Sequence, residues 1–419
     1  MKKVRLAFKI DMKGSSPTVM SASRESESVS QRSQLETATI GASARTAPRF
    51  EWLDGLRAYA IIGVILVHSG QRVWVDGYAT GASIWLERIS ELGQYGVQLF
   101  FVISAITVFY TLGRFDFRPG EFGGWLIKRY FRIAPLYYIA IAGYLLLGLL
   151  GNFLRSHSHK AVLPIFTPTD AIANFLFIQT WVEHANNNVV PGGWSIGVEM
   201  MFYLIAPLCC FMVKQRGWGP YFLSVLAVAS VGISLVLAHG AIANNTYFYY
   251  WFPTQLPVIL CGLVLCQICA SWIFTEKSNP HGATVTAQAV SPIAFVLAAC
   301  CGPLLHWDDA FAPLLLGVSF SGVAILARGP LRSAVTNRMA VWLGRLSYSI
   351  YIIHFAVLNF VGMVEFKLPI LRSIPDLLTL ALIILITLAV SIPFAILLRN
   401  AVEEPGIRLG RKISSALHT

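Results

Sequence analysis

Apolar runs recur from residue 55 to residue 398, each close to the ~20 residues an α-helix needs to cross a hydrocarbon core. A helix satisfies its own backbone hydrogen bonds inside a bilayer, so the pattern predicts an all-α, polytopic membrane helix bundle. Read against the charges between them, the runs fall at roughly 55–70, 93–113, 133–152, 194–213, 220–239, 251–273, 291–305, 310–327, 341–364 and 377–398. A chain of 419 residues that is 56% hydrophobic and only 13% charged is not an ordinary soluble protein.

The formal net charge of +11 does not predict a nucleic-acid partner, because Lys and Arg are spread through the connectors instead of forming one basic domain. They report topology. "GRFDFRPGEFGGWLIKRYFR", "VKQRG", "ARGPLRSAVTNR" and "IRLGRKI" all face the cytosol if the N-terminus does, and about ten transmembrane helices then leave both termini cytosolic. The apolar stretch 169–183, "TDAIANFLFIQTWVE", is shorter than a span, and counting it as a crossing would put later basic connectors on the wrong side. It is read as an interfacial or re-entrant piece on the outer face.

Residues 1–50 are polar and Ser-rich, which predicts a disordered cytosolic tail. The short "VRLAFKI" is interrupted by charge and does not read as a signal peptide. The membrane domain is expected over 51–411, with a short cytosolic C-terminal tail at 412–419. Cysteines 209, 210, 261, 266, 269, 300 and 301 fall almost entirely inside apolar runs and read as packed thiols, so no metal is expected.

A titratable side chain within a span costs several kcal/mol unless it is paired or lines a wet cavity, which makes each one a candidate site. Asp54 precedes Arg57 by one turn and can pair with it. His68 follows Arg57 by eleven positions, roughly 16 Å and three turns further, on the same helix face. Arg129 and Arg132 share one side of a predicted helix start. Ser195, Glu199 and Tyr203 form an i, i+4, i+8 stripe, and Ser347, Tyr351 and His354 an i, i+4, i+7 stripe. Taken singly, each also has a structural reading: Arg57 as a snorkelling anchor, His68 as an interfacial histidine, the arginine pair as topology charges and His354 as a core histidine.

Taken together, these residues resemble the acyltransferase 3 family of bacterial membrane O-acyltransferases, which modify surface polysaccharides and some secreted small molecules. The resemblance covers nearly everything after residue 50 and rests on six segments in the family's order: "LDGLRAYAIIGVILVH", "GVQLFFVISAI", "KRYFRIAPLYY", "WSIGVEMMFYLIAPL", "LGRLSYSIYIIH" and "VEEPGIRLG". The departures are Ala58 and Ala105 where glycine is common, Gly197 where serine is common, and Met200 where a second glutamate is common. The sequence stops soon after the tenth run, so the membrane core is expected to act without the hydrolase-like domain fused to some members.

The resemblance implies a multi-pass protein of the bacterial cytoplasmic membrane and an acyl-CoA donor, usually acetyl-CoA, held from the cytosolic side. Arg129 and Arg132 would bind the donor through guanidinium–phosphate contacts. His68 would be the general base that takes the acceptor proton, with Arg57 steadying the entrance and Glu199 orienting the imidazole or stabilising its cation. Asp54, Ser195, Tyr203, Tyr351 and His354 would support them. The acceptor would be a hydroxyl of a surface or secreted carbohydrate or of a glycolipid. Direct transfer and an acyl-histidine intermediate both fit the spacing. Intramembrane Arg, His and Glu would also suit a proton-coupled transporter or acyl-group carrier, although no internal repeat or broken helix pair supports it.

Overall fold

The computed structural model describes residues 50–416 except 76–83, 114, 116–118, 157–165, 217–218, 242–246, 275–280, 306–310 and 368–373. The tail expected at residues 1–50 lies outside the described residues, save for Phe50. Among the described residues the regular structure is entirely helical. The chain runs through α1 (Glu51–Val75), α2 (Ile84–Glu91), a 3-10 turn (Leu92–Tyr95), α3 (Gly96–Leu112) and α4 (Pro119–Ser156). It continues with α5 (Pro168–Phe175), a 3-10 turn (Gln179–Trp181), α6 (Gly193–Arg216), α7 (Gly219–Ala241), α8 (Phe252–Ile273), α9 (His281–Leu305) and α10 (Ala312–Arg328). The last elements are α11 (Arg332–Val335), α12 (Arg338–Lys367), α13 (Asp376–Leu398), a π-helical turn (Arg399–Glu403) and α14 (Glu404–Ala416).

By length and apolar content, eight segments among the described residues suit a membrane crossing: Glu51–Trp74, Trp85–Leu112, Gly120–Leu149, Gly193–Met212, Phe252–Cys269, Gly282–Cys300, Arg338–Gly362 and Asp376–Ala416. Two shorter apolar helices, Tyr221–Val236 and Ala312–Arg328, fall on the two remaining predicted runs. Leu204 and Leu208 on α6, Val225 and Val228 on α7, Ile293 and Val296 on α9, and Leu385 and Leu397 on α13 are exposed, as a surface facing lipid tails permits.

Some boundaries differ from the sequence expectation. The helix predicted at 133–152 begins at Pro119, so Arg129 and Arg132 lie ten and thirteen residues inside it, not at its start. Hydropathy misses this segment because its charges dilute the signal, while tertiary contacts with α14 hold it helical. The helix expected at 291 likewise begins at His281.

The stretch 169–183 holds only the eight-residue α5 and one 3-10 turn, and eight residues rise about 12 Å, too little to cross. A reciprocal capping box between Thr167 and Asp170 starts α5. Fully buried Asn174 then fixes the segment: its amide donates to the carbonyls of Asp170 and Ala185, and its Oδ1 accepts from Tyr137 on α4 at 2.7 Å.

α3 is apolar on every side, which requires neighbours all round. Val102, Ile103, Ala105, Ile106 and Val108 are fully buried, and α1, α6, α8 and α10 pack against it. α12 lies along α1. Their approach is so close at Gly344 that an added Cβ would fall on the Asp54 carbonyl oxygen. α14 packs on α4, with Gly406 and Gly410 against Pro135 and Phe131.

Candidate functional site

The bend that starts α6 sets the first part of the site. Gly192 adopts φ +78°, a conformation that strongly favours glycine, and a Cβ there would also meet the Tyr351 hydroxyl at 2.8 Å. Its carbonyl accepts from Ser195 Oγ at 3.0 Å and from Tyr351 OH at 2.9 Å, and those two hydroxyls lie 2.8 Å apart. From there the helical repeat carries Ser195, Glu199 and Tyr203 down one wall of a cavity of about 80 Å³. Arg57, Arg129, Arg132, Ser347 and Tyr351 line the same cavity, as do Phe100, Phe101, Ser104 and Tyr348. The predicted stripes of α6 and of the arginine motif therefore converge.

The cavity has a basic end and a hydroxyl end. Ser195 and Tyr203 are eight residues apart on α6, a rise of about 12 Å. At the basic end Arg129, 9% exposed, donates to the Thr107 carbonyl and to Thr111 Oγ1, and its guanidinium lies 5.5 Å from the ring centroids of both Trp125 and Tyr203. Arg57 pairs with buried Asp54 at 2.9 Å, and Arg345 Nε approaches the other Asp54 oxygen at 3.6 Å. Arg132 interacts electrostatically with Tyr203, Glu403, Glu199 and Asp54. Glu199 Oε1 accepts from Ser104 Oγ at 2.8 Å and from Tyr203 OH at 2.5 Å, and its charge acts on Arg57, Arg129 and Arg132 alike.

His68 and His354 do not line this cavity. They lie side by side one turn beyond Tyr351, with ring centroids 5.5 Å apart and both rings against Phe355. His68 Nδ1 bonds Gln71 Oε1 at 2.8 Å; with Nδ1 as the donor, Nε2 keeps its lone pair. Fully buried His354 donates from Nδ1 to the Tyr351 carbonyl, and its Nε2 has no partner among the described residues. This corrects one sequence expectation: Glu199 does not orient His68. Its carboxylate bonds Ser104 and Tyr203, and the imidazole takes its partner, Gln71, from its own helix.

One departure from the family pattern acquires a reason. A Cβ at Gly197 would meet Thr180 Cγ2 at 2.8 Å and the Gln179 side chain at 3.0 Å, so the glycine makes room for a fully buried Gln179 that donates to the Gly193 carbonyl and to Tyr137 OH. Met200, where a second acid is common, is buried. Sequence reasoning missed Glu403, which is 7% exposed, accepts from Ser349 at 2.9 Å and interacts with Arg132. It sits in the "VEEP" segment, and an acid between an apolar run and a proline was the available signal. Ser104 and Tyr348 carried no such mark, since each is one of several hydroxyls along its helix.

The profile of the acyltransferase 3 family, described as "Acyltransferase domain", matches residues 50–397. The chain is 25% identical over 396 residues to "Acyltransferase MdmB" of Streptomyces mycarofaciens, covering 87% of this chain and 93% of that protein. It is 25% identical over 365 residues to "O-acetyltransferase OatA" of Staphylococcus aureus, covering 80% of this chain and 55% of OatA, so it spans only about half of that relative's length. No solved structure matches. The residues that gather at the cavity come from the segments within this match, and the chain belongs to the acyltransferase 3 family of enzymes.

Proposed function

We propose that the protein is a ten-span bacterial cytoplasmic-membrane O-acyltransferase with both termini cytosolic, moving an acyl group, most simply acetyl, from cytosolic acyl-CoA to a hydroxyl of a surface or secreted carbohydrate. One observation carries the reading: three guanidinium groups, Arg57, Arg129 and Arg132, meet at one end of a cavity whose other end is lined by Ser195 and Tyr351. Anionic phosphates suit the first end. The hydroxyl end leads toward His68, by way of Tyr351 and His354.

In the reaction the acceptor oxygen attacks the thioester carbonyl carbon. The C–O bond forms as its proton passes to His68 Nε2, the C–S bond breaks, and the proton then goes to the CoA thiolate, which leaves as the thiol. Glu199 balances the arginine charges, so the basic end is held by a counter-ion before the donor arrives.

The test is acyl transfer from acetyl-CoA by purified protein in lipid. Wild type is expected to release CoA, and His68→Ala, with insertion and donor binding intact, to lose at least about a hundredfold in kcat. His354→Ala is expected to cost less. Normal kcat in His68→Ala would remove the proposed base, and the absence of CoA release by wild type with any carbohydrate acceptor would remove the donor assignment.

A further inference from the structure

Of the three guanidinium groups at the cavity, two are already committed within the protein. Arg57 pairs with Asp54, and Arg129 donates to the Thr107 carbonyl and to Thr111 Oγ1. Arg132 lines the same cavity yet makes no hydrogen bond and no ion pair among the described residues. Its charge is met only at longer range, by Tyr203, Glu403, Glu199 and Asp54.

Glu403 is the member of that set without an assigned role. It ends the π-helical turn, is buried, and accepts from fully buried Ser349 at 2.9 Å. It is not among the residues that line the cavity, and it forms no ion pair among the described residues. Packing puts the turn against α4 beside Arg132. A Cβ at Gly406, three residues further on, would meet the Phe131 carbonyl oxygen at 2.9 Å, and Tyr348, next to Ser349, donates to the Ile133 carbonyl at 2.8 Å. Of the charges that act on Glu403, that of Arg132 is felt more strongly than that of Arg399. Pro405 has no N–H for the Ala401 carbonyl, which accounts for a disturbed helix at this point but not for a carboxylate buried in it. Neighbouring Glu404 shows the ordinary alternative: its side chain is more exposed and pairs directly with Arg399 at 2.8 Å. A buried carboxylate held off any direct cationic partner is costly, and here it sits beside the one guanidinium of the cavity whose N–H groups are unused.

Resting on the acyl-transfer reading above, we infer that Glu403 is a positioning residue, the built-in counter-ion of Arg132, which balances that charge from outside the cavity and leaves the N–H fork open to the donor's phosphates. Ser349 keeps the carboxylate from closing on the fork. In the empty protein the cation is thereby compensated without being occupied. When phosphates enter, the same carboxylate repels them, so the basic end grips CoA less tightly than its three arginines alone would. The consequence is a site from which the product can leave.

The experiment uses full-length protein in lipid nanodiscs, with CoA, inorganic pyrophosphate and phosphate-free pantetheine as probes. Calorimetry reads binding, thermal unfolding reads stability, and CoA release from acetyl-CoA with a carbohydrate acceptor reads transfer. Glu403→Gln keeps an acceptor for Ser349 and removes the charge. It is expected to lower the melting temperature of the empty protein and to tighten binding of CoA and pyrophosphate at least about tenfold, with pantetheine unchanged. A merely structural residue would lose affinity on substitution, not gain it. Ser349→Ala frees the carboxylate to close on Arg132 and is expected to weaken CoA binding at least about threefold. If Glu403→Gln does not insert, Ser349→Ala decides alone, and unchanged or tighter CoA binding there rejects the counter-ion. Glu404→Gln is expected to stay within about twofold of wild type, because that charge is already paired with Arg399 near the surface. Unchanged or weaker CoA binding in Glu403→Gln, or an equal gain in Glu404→Gln, would overturn the inference, and CoA release by wild type would leave the acyl-transfer reading standing. Tighter CoA binding in Glu403→Gln, in a protein whose wild type never releases CoA from acetyl-CoA, would keep the counter-ion and overturn the acyl-transfer reading instead.

Discussion

Arg129 is held by two oxygens and two aromatic rings before any substrate arrives, so its guanidinium is oriented in advance. Preorganisation of this kind favours binding, and a group that binds the donor equally in ground and transition states moves KM more than kcat. Arg129→Ala and Arg132→Ala are expected to raise the KM for acyl-CoA more than they lower kcat, and lysine is expected to rescue only partly because it keeps the charge but not the planar fork. Steady-state kinetics on the four variants decides this; an unchanged donor KM in both alanine variants rejects the assignment. At this scale the sequence was legible where spacing alone carries the information. Ser195, Glu199 and Tyr203 share a wall because i, i+4 and i+8 share a face on any helix. The partner of Glu199 was not legible, because Ser104 belongs to a helix 95 residues earlier in the chain and no local pattern links them.

Among elements, the seam between α1 and α12 has no spare space at Gly344. Gly344→Val would force the helices apart where Asp54 holds Arg57 and Arg345, and is expected to lower the melting temperature and to raise the donor KM together. Thermal unfolding in detergent and donor kinetics check both, and a normal value for either contradicts the packing account. α5 makes a different kind of test because it is capped by a carboxylate. Burial pushes the Asp170 carboxyl up, but hydrogen bonds from the Thr167 amide and from Asn188 and Thr167 side chains outweigh it and hold it below its ordinary value. A carboxyl whose folded value is depressed contributes stability that is present above its unfolded value near 3.9 and is lost as pH falls through the folded one. Wild type is therefore expected to lose stability relative to Asp170→Asn as pH drops below about 4, and an equal acid response in the two proteins would reject the cap. The eight-residue length of α5 follows from its sequence only in part: the apolar run was visible, whereas its end, with Phe177 at φ 59°, depends on Asn174 and Tyr137 meeting across 37 residues.

For the whole molecule, the helical architecture was readable because a bilayer imposes length and apolarity on each crossing, and those are written locally. Helix starts were read less well wherever charges are buried against neighbours, as at Pro119–Arg132. The family profile begins at residue 50, and the first helix among the described residues begins at Glu51. Removing residues 1–45 is accordingly expected to leave acyl transfer in membranes largely intact; loss of turnover with normal insertion would contradict this. The C-terminal end carries a less obvious consequence. α13 has 23 residues and rises about 34 Å, close to the ~30 Å of a hydrocarbon core, and the π-helical turn that follows holds Glu403 beside Ser349 and within reach of Arg132. α13 cannot shift along the membrane normal to suit a thicker or thinner bilayer without dragging that carboxylate off its partners. On the proposed reading, lipid chain length is then expected to act on acyl transfer: the bilayer would serve as a gauge block against which the charge at one end of the cavity is aligned.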